Sequence, residues 1–434
     1  MNNLRYHGNN HPQDRAETMN ITKIIIITGL ILLTLAATQA FAGGHSSARS
    51  VAMGKAYTAL AKGPDAGKYN PANLGLRDYR RTGLEIVGVG ANISNNAFTL
   101  NDYNEYSGAL LTTEDKDYIL GKIPQEGLKL AVDAEATVMA LSTGAYAFNV
   151  TGIGIADVNM SRDLFELILN GNTFADTINV NGSYSDLVSY ASAGLSYGMP
   201  LFSSGTRQLA VGATVKYIRG IAIEEVVELE GLAATFATGF EGEGHMVVRT
   251  ATGGSGYAVD LGAAFKINNS YTVGACLKNF VSHITWNNET EEHGYDFSFD
   301  TVTVDNMDED FVVSDDYSVP IDNFSTDLPS TLTVGIAKIS GKLQWAVDWE
   351  QGFNRNTGVS SKPLISTGLE YSFIGLLPLR AGFTTGGDRN TTFSFGSGFN
   401  ISPIYLDYAL VTGSSFSGYS SKGVNFAVSL GILL

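Results

Sequence analysis

From Val424 to the end of the chain, Val424, Phe426, Val428, Leu430, Ile432 and Leu434 alternate with Asn425, Ala427, Ser429, Gly431 and Leu433. A period of two predicts a strand with one oily face and one small or polar face, and about eleven residues laid obliquely can cross a bilayer. A strand of this kind at the C-terminus has the character of the closing strand of an outer-membrane β-barrel. The alternation recurs upstream and predicts strands at 83–96, 128–142, 144–160, 184–199, 206–224, 253–267, 270–287, 330–340, 343–354, 363–374, 377–386, 391–400, 402–412 and 421–434. That makes about fourteen, the even number a single-chain bacterial barrel requires.

The connections alternate in length. Odd-numbered ones at 97–127, 161–183, 225–252 and 288–329 are long. Even-numbered ones are short: Thr143, the Pro200 to Gly205 turn, Asn268-Asn269, Gly341-Lys342 and Gly375-Leu376. Long loops on the outside and short turns on the periplasmic side are the outer-membrane rule, and a soluble sandwich or propeller has no reason to follow it.

Charges fix which face of each strand looks inward. Leu343, Trp345, Val347 and Trp349 share one face, opposite Gln344, Ala346, Asp348 and Glu350; carboxylates in lipid are costly, so Asp348 and Glu350 face the lumen. The same reading turns Tyr257, Val259, Leu261, Ala263, Phe265 and Ile267 to lipid with Asp260 and Lys266 inside, and Leu209, Val211, Val215 and Tyr217 to lipid with Lys216 inside. It also sends Asp133, Glu135, Lys278, Glu370, Arg380 and Asp407 inward. Both signs are present, which favours charges that pair with one another and plug the lumen over an ion-selectivity filter. Cys276 falls on the inward face with Lys278 and reads as a small packing residue.

Composition sharpens this all-β reading. Hydrophobic residues make up 44% of the 434, charged residues only 16%, and there are 49 glycines. Soluble proteins carry roughly 25% charged residues. A net charge of -16 excludes a nucleic-acid partner, which a polyanion repels. The single cysteine excludes an intrachain disulfide and a cysteine zinc cluster.

Lys23, the apolar run Ile24 to Ala37 and Ala40-Phe41-Ala42 together read as a secretory signal over residues 1–42, cleaved after Ala42. Met19 is the more ordinary start. No later stretch reaches the roughly 18 apolar residues of a spanning helix, so a membrane protein here must close as a barrel over 82–434.

Residues 43–81 lack the alternation. They hold Ala48-Arg49-Ser50-Val51-Ala52-Met53-Gly54-Lys55-Ala56-Tyr57-Thr58-Ala59 and Asn70-Pro71-Ala72. This "ARxxxMGxAxxA" stretch followed by "NPA", with "LPSTLTVGIA" at Leu328 and "PLRAGF" at Pro378, resembles the FadL/TodX superfamily of outer-membrane transporters for long-chain fatty acids and other hydrophobic compounds. The superfamily includes the related PorV/TraF-like barrels of secretion and conjugation systems. The resemblance implies that 43–81, with Asn70, Pro71 and Ala72, is a hatch inside the barrel. A periplasmic helix, or a plain turn at Asn70-Pro71, stays open as the alternative. Leu434 departs from the aromatic terminus of many such barrels.

The external loops carry the candidate substrate site. Ser161 as N-cap and Gly171 as stop predict a helix over 162–170, with Leu164, Phe165, Leu167 and Ile168 on one side. Leu232, Phe236 and Phe240 recur at a spacing of four in loop 225–252 and predict a second apolar helical face. Such faces in water need a partner. The resemblance makes them a groove that captures substrate; packing of the two helices on each other is the alternative. Asn149, Gly152 and Gly154 lie in the third strand, where family members release substrate sideways through a kink, and strand glycines mark bulges.

Loop 288–329 carries Asp300, Asp305, Asp308, Glu309, Asp310, Asp315, Asp316, Asp322 and Asp327. Without EF-hand spacing it reads as a solvated acidic loop rather than a site for divalent cations near lipopolysaccharide. H-E-x-x-H and G-x-S-x-G are absent, Gly88-Val89-Gly90 is an incomplete dinucleotide pattern, and the six histidines lack ligand spacing. The chain therefore reads as a non-enzyme with no cofactor and no metal. Two functions fit: passive uptake of hydrophobic compounds such as long-chain fatty acids, or docking of secretion or conjugation partners on a barrel of the same fold.

Overall fold

A computed structural model describes residues 46–171, 177–237, 239–302, 312–353, 359–387, 391–415 and 418–434. The expected signal segment, and Asp305, Asp308, Glu309 and Asp310 of the acidic loop, lie outside the described residues.

The wall is a closed antiparallel barrel of 14 strands. In chain order these are β1 (Gly83–Asn95), β2 (Leu128–Thr143), β3 (Tyr146–Met160), β5 (Tyr184–Ser204), β6 (Arg207–Phe236), β7 (Gly239–Lys266) and β8 (Tyr271–Trp286). They continue with β12 (Thr331–Ser340), β13 (Leu343–Gly352), β14 (Leu364–Ile374), β15 (Leu377–Gly386), β16 (Thr392–Ile401), β17 (Ile404–Gly413) and β18 (Gly423–Leu433). β18 pairs with β1, so every neighbour in the ring is occupied and the sheet has no edge. All fourteen expected strands are present. The alternation sets the faces: Val424, Phe426 and Val428 are exposed on the outside while Asn425, Ala427 and Ser429 are buried inside.

Tight turns close one end, at Gly144-Ala145, Gly205-Thr206, Gly341-Lys342 and Gly375-Leu376. The expected turn from Pro200 is shorter than the sequence implied, because Pro200 to Ser204 stay paired with Arg207 to Ala210 around a bulge.

At the other end two expectations fail. Loop 225–252 is not helical: β6 and β7 simply continue, paired from Glu225↔Arg249 to Phe236↔Gly239. Loop 288–329 is likewise built of strands. β9 (Glu291–Val302) pairs with β7 and with β10 (Val312–Pro320), while β4 (Thr177–Asn179) lies on the far side of β6. A sheet β4-β6-β7-β9-β10 thus stands beyond the barrel rim. A short β11 (Phe324–Thr326) pairs with β8 at the rim. The third expectation concerned β3, which is not kinked. It pairs with β5 without a register shift from Tyr146↔Tyr197 to Asn159↔Tyr184, and the nearby irregularity belongs to β2, between Thr137 and Met139.

Candidate functional site

Two layers fill the lumen. In the half nearer the tight turns, residues 46–79 fold into α1 (Ala48–Ala52), α2 (Pro64–Tyr69) and 3-10 turns at Pro71–Gly75 and Arg77–Tyr79. Small residues let this segment touch the wall backbone. A Cβ on Gly382 would lie 2.1 Å from the Gly54 amide nitrogen, one on Gly368 2.4 Å from the Met53 carbonyl oxygen, and one on Gly212 2.4 Å from the Pro71 carbonyl carbon. Only glycine at these wall positions allows the approach.

Asn70, Pro71 and Ala72 are fully buried here. The Asn70 side chain caps the first 3-10 turn, its Oδ1 accepting from the Ala72 amide at 3.1 Å, and its Nδ2 donates to the Ala263 carbonyl of β7 at 3.1 Å. Pro71 suits the first position of that turn because its missing N–H has no partner to lose there. The stretch is a turn, and it is seated on the wall.

Some of the inward charges bind this segment and the others pair along the wall. Arg49 grips Glu370 with two bonds, Nε at 2.8 Å and Nη2 at 2.9 Å. Glu370 also accepts from Arg380 at 2.7 Å, and Arg380 reaches Asp407 at 2.7 Å. Bidentate Arg–carboxylate geometry fixes both distance and angle. Across the lumen Lys68 pairs with Glu85 at 2.9 Å and Asp65 at 3.3 Å, and Ser46 donates to Glu135 at 2.7 Å. One oxygen of Asp348 accepts the amides of Tyr57 and Thr58, each at 2.9 Å, while Lys266 pairs with Asp78. Lys216 pairs with Asp260 at 2.7 Å, Asp133 accepts from Asn92 at 2.8 Å, and Glu350 accepts from Thr333 at 3.3 Å. Lys278 lies over the Tyr69 ring, and Cys276 is buried in the wall beside it.

Above the segment the lumen turns apolar. Tyr190, Ile218, Ile223, Ala251, Ala258, Ile284, Trp286 and Leu328 form one buried cluster, with Ile153, Val188 and Phe324 against it. Trp286 is fully buried, its indole N–H donates to Thr326 at 2.9 Å, and Gly220 and Gly254 leave room for its ring. The sequence reading missed this layer. Its members alternate like any strand residues, and Gly253, at φ 77°, breaks the alternation so that Ala251 rather than Thr252 is buried.

The loop residues are divided. α5 (Arg162–Asn170) forms as expected and Gly171 stops it at φ 70°. Ser161 does not cap it; its hydroxyl donates to the Asn179 carbonyl at 3.0 Å. Leu164, Phe165 and Leu167 are half-buried and Ile168 is exposed. β4 connects the two regions: the Asn179 amide donates to Asp163 of α5 at 3.2 Å, and β4 pairs with Leu232 to Ala234. Leu232 and Phe236 share a strand face, but Phe240 pairs with Thr235 and so points to the opposite one. The expected apolar helical face of Leu232, Phe236 and Phe240 therefore does not exist.

Two helices were missed in the first loop, α3 (Leu100–Tyr106) and α4 (Thr113–Lys122). Each begins with a capping box, Thr99 with Asp102 and Thr112 with Asp115, a spacing visible in the sequence. Asp102 also takes Lys122 at 2.9 Å and Tyr118 at 3.0 Å. Burial pushes the Asp102 carboxyl up, but the Thr99 amide and hydroxyl with Lys122 and Tyr118 outweigh it and hold the group at about 2. Among the described residues no group of His, Cys, Asp or Glu could hold a metal ion.

Comparison with known proteins bears on the fold. Residues 77–239 match a family of unknown function, DUF5723. No curated protein matches the sequence. The toluene transporter TbuX of Ralstonia pickettii is 15% identical with a TM-score of 0.50, over 89% of this chain and 97% of that one. The deltaS2S3 mutant of TodX, a monoaromatic hydrocarbon channel, is 14% identical with a TM-score of 0.54, over 90% and 99%. The P. putida toluene transporter TodX is 13% identical with a TM-score of 0.48, over 88% and 96%. The first two comparisons show the fold: the chain has the barrel fold of TbuX and of the TodX mutant over nearly its whole length.

Proposed function

We propose that this barrel sits in the bacterial outer membrane, that residues 46–79 serve as its hatch, and that it takes up hydrophobic compounds passively. What carries the reading is the stacking of the lumen. An apolar layer around Trp286 lies above a segment bolted to the wall by ion pairs, and an apolar lining favours an apolar solute over a polar one. The names of the structural neighbours point to monoaromatic hydrocarbons as substrates, and the sequence resemblance to long-chain fatty acids. In the same reading the signal is removed after Ala42, and the outer leaflet around the loops is lipopolysaccharide.

α5 offers Leu164, Phe165, Leu167 and Ile168 to an arriving molecule, and the rim strand offers Leu232 and Phe236. The reading is tested by native mass spectrometry of detergent-extracted protein and by uptake of toluene and oleate in cells with and without the gene. A co-purified apolar molecule and gene-dependent uptake are expected. An empty barrel with identical uptake in both strains overturns it.

The sheet β4-β6-β7-β9-β10 favours a second reading as a docking component of a secretion or conjugation system, since it carries the exposed Tyr295, Phe297 and Tyr317 beyond the rim. Co-purification of secretion proteins lost on trimming the β9–β10 hairpin supports that alternative.

A further inference from the structure

Charge is sorted along the barrel axis. The tight turns at 144–145, 205–206, 267–270, 341–342, 375–376 and 402–403 hold no Asp or Glu, while Arg207 follows one of them and Lys342 lies in another. Loop 288–329 at the other end holds its run of acids and no Lys or Arg. A chain of net charge -16 thus keeps a basic face at its tight-turn end.

The segment inside the lumen completes that face. The Arg77 amide donates to Gln208 Oε1, beside a tight turn, at 2.9 Å. Arg80 Nε donates to the Leu74 carbonyl at 3.0 Å, and the Leu434 amide to the Thr82 carbonyl at 2.8 Å, which holds Arg81 at the mouth. The side chains of Arg77, Arg81 and Arg207 are exposed and make no hydrogen bond or ion pair among the described residues. Asp78 is the one acidic side chain on this face among the described residues, and Lys266 takes it. Lys62 stands half-buried with its ammonium 4.4 Å from the centre of the Tyr79 ring. It has no carboxylate partner among the described residues. The charges that reach it are Arg49, Arg81 and Lys266, which repel it, and Asp78.

A cation drawn out of water among like charges is costly, and a carboxylate that reaches it removes the cost. Exposed cations around it draw an anion in from a distance. Placement decides which anion. A second copy in the same membrane carries its acids at the far end. Lipid headgroups outside the wall reach Arg207 and Lys342 on the rim, but Lys62, Arg77 and Arg80 belong to the segment that the ring encloses. The occupant therefore arrives end-on, along the barrel axis, and offers several carboxylates on one chain.

Resting on the outer-membrane placement above, we propose that the tight-turn end is a docking surface for an Asp- and Glu-rich segment of a periplasmic protein, with Lys62, Arg77 and Arg81 receiving its carboxylates.

The test uses the full chain in nanodiscs of zwitterionic lipid, where both ends are open to solution, and follows fluorescein-labelled decaglutamate by anisotropy. Decaglutamate binds at low salt and is released as salt rises, and decaglutamine does not bind. Lys62→Gln, Arg77→Gln and Arg81→Gln together weaken binding about tenfold, the worth of a few screened ion pairs, while Arg207→Gln with Lys342→Gln on the rim changes it about twofold or less. The heat-modifiable shift on gels shows that each variant is folded. Unchanged binding by the triple variant overturns the surface. Displacement of decaglutamate at equal charge by short-chain phosphatidylglycerol assigns the face to lipid, and displacement by a muropeptide assigns it to the cell wall; either overturns a protein partner.

Orientation is read separately in cells. Arg81→Cys takes a membrane-impermeant maleimide only after the outer membrane is opened; Cys276 is buried and does not compete. Labelling on intact cells overturns the periplasmic placement and the uptake reading that shares it. Failure of decaglutamate to bind, with the placement upheld, overturns the docking surface alone and leaves uptake standing.

Discussion

The lower and upper halves of the lumen are built on opposite principles. Below, Arg49, Glu370, Arg380 and Asp407 form a largely buried chain of charge in which every link is 2.7–2.9 Å long. Above, Trp286, Ile218 and Ile284 meet through apolar contact, with one hydrogen bond from the Trp286 indole to Thr326 at its margin. Ion pairs of this kind are directional and demand fixed partners, whereas apolar contact tolerates substitution by another apolar body. The lower half is thus suited to holding one segment in one place, and the upper half to admitting a guest.

The contrast breaks first at Glu370. Glu370→Ala removes the carboxylate shared by half-buried Arg49 and buried Arg380 and leaves Asp407 as the remaining partner of Arg380, at a cost of about 3 kcal/mol, read as a large drop in the temperature at which the folded gel band disappears. If the barrel tolerates the change as it would a surface substitution, the lower half is not held by charge. Gly382→Val comes next, since its new Cβ would meet the Gly54 amide; overpacking costs about 1–3 kcal/mol, and protease cleavage within 46–79 should appear. Gly152→Val, where nothing lies within 4 Å, should leave both readouts alone.

Smaller effects sharpen the upper side. Trp286→Phe loses the bond to Thr326 at about 1 kcal/mol and should change toluene uptake while leaving 46–79 protected. A variant that unseats 46–79 would show the halves to be one unit. Smallest is Asp102→Asn, which weakens the α3 cap by about 1 kcal/mol or less and speeds proteolysis of 97–127. The native carboxyl is held at about 2 against an ordinary 3.8, so its contribution is complete above the ordinary value and is lost as pH falls through about 2. Proteolysis of that loop by an acid protease should rise over the same window, and not in Asp102→Asn.

How much of this was legible in the sequence follows from what each period encodes. Wall strands such as β13 and β18 announced themselves because lipid on one side and packed lumen on the other force strict alternation. The rim strands did not. Leu232, Phe236 and Phe240 are spaced by four, and four is near one helical turn and also an even number, so the spacing fits a helix face and a strand face alike. The neighbouring run Val226-Val227-Glu228-Leu229-Glu230 held the β-branched, alternating signal that separates them. In the first loop, the Thr-x-x-Asp spacing at Thr99 and Thr112 was present and unread. The partnerships of Arg49 and Lys68 were beyond reach, since sequence gives the sign of an inward charge and not which strand it will face across the lumen. The cluster at Trp286 needed the change of phase at Gly253, a backbone event that no side-chain pattern records.

Ser429 belongs to the last strand, yet its hydroxyl accepts from the Ala48 amide at 2.8 Å and donates to the Ser46 carbonyl at 3.0 Å. The strand that completes the cylinder also clasps the start of its contents. Sealing and stoppering are thereby one event in assembly, and a nascent barrel that has not yet swallowed its own leading segment lacks part of the surface on which its final strand must come to rest.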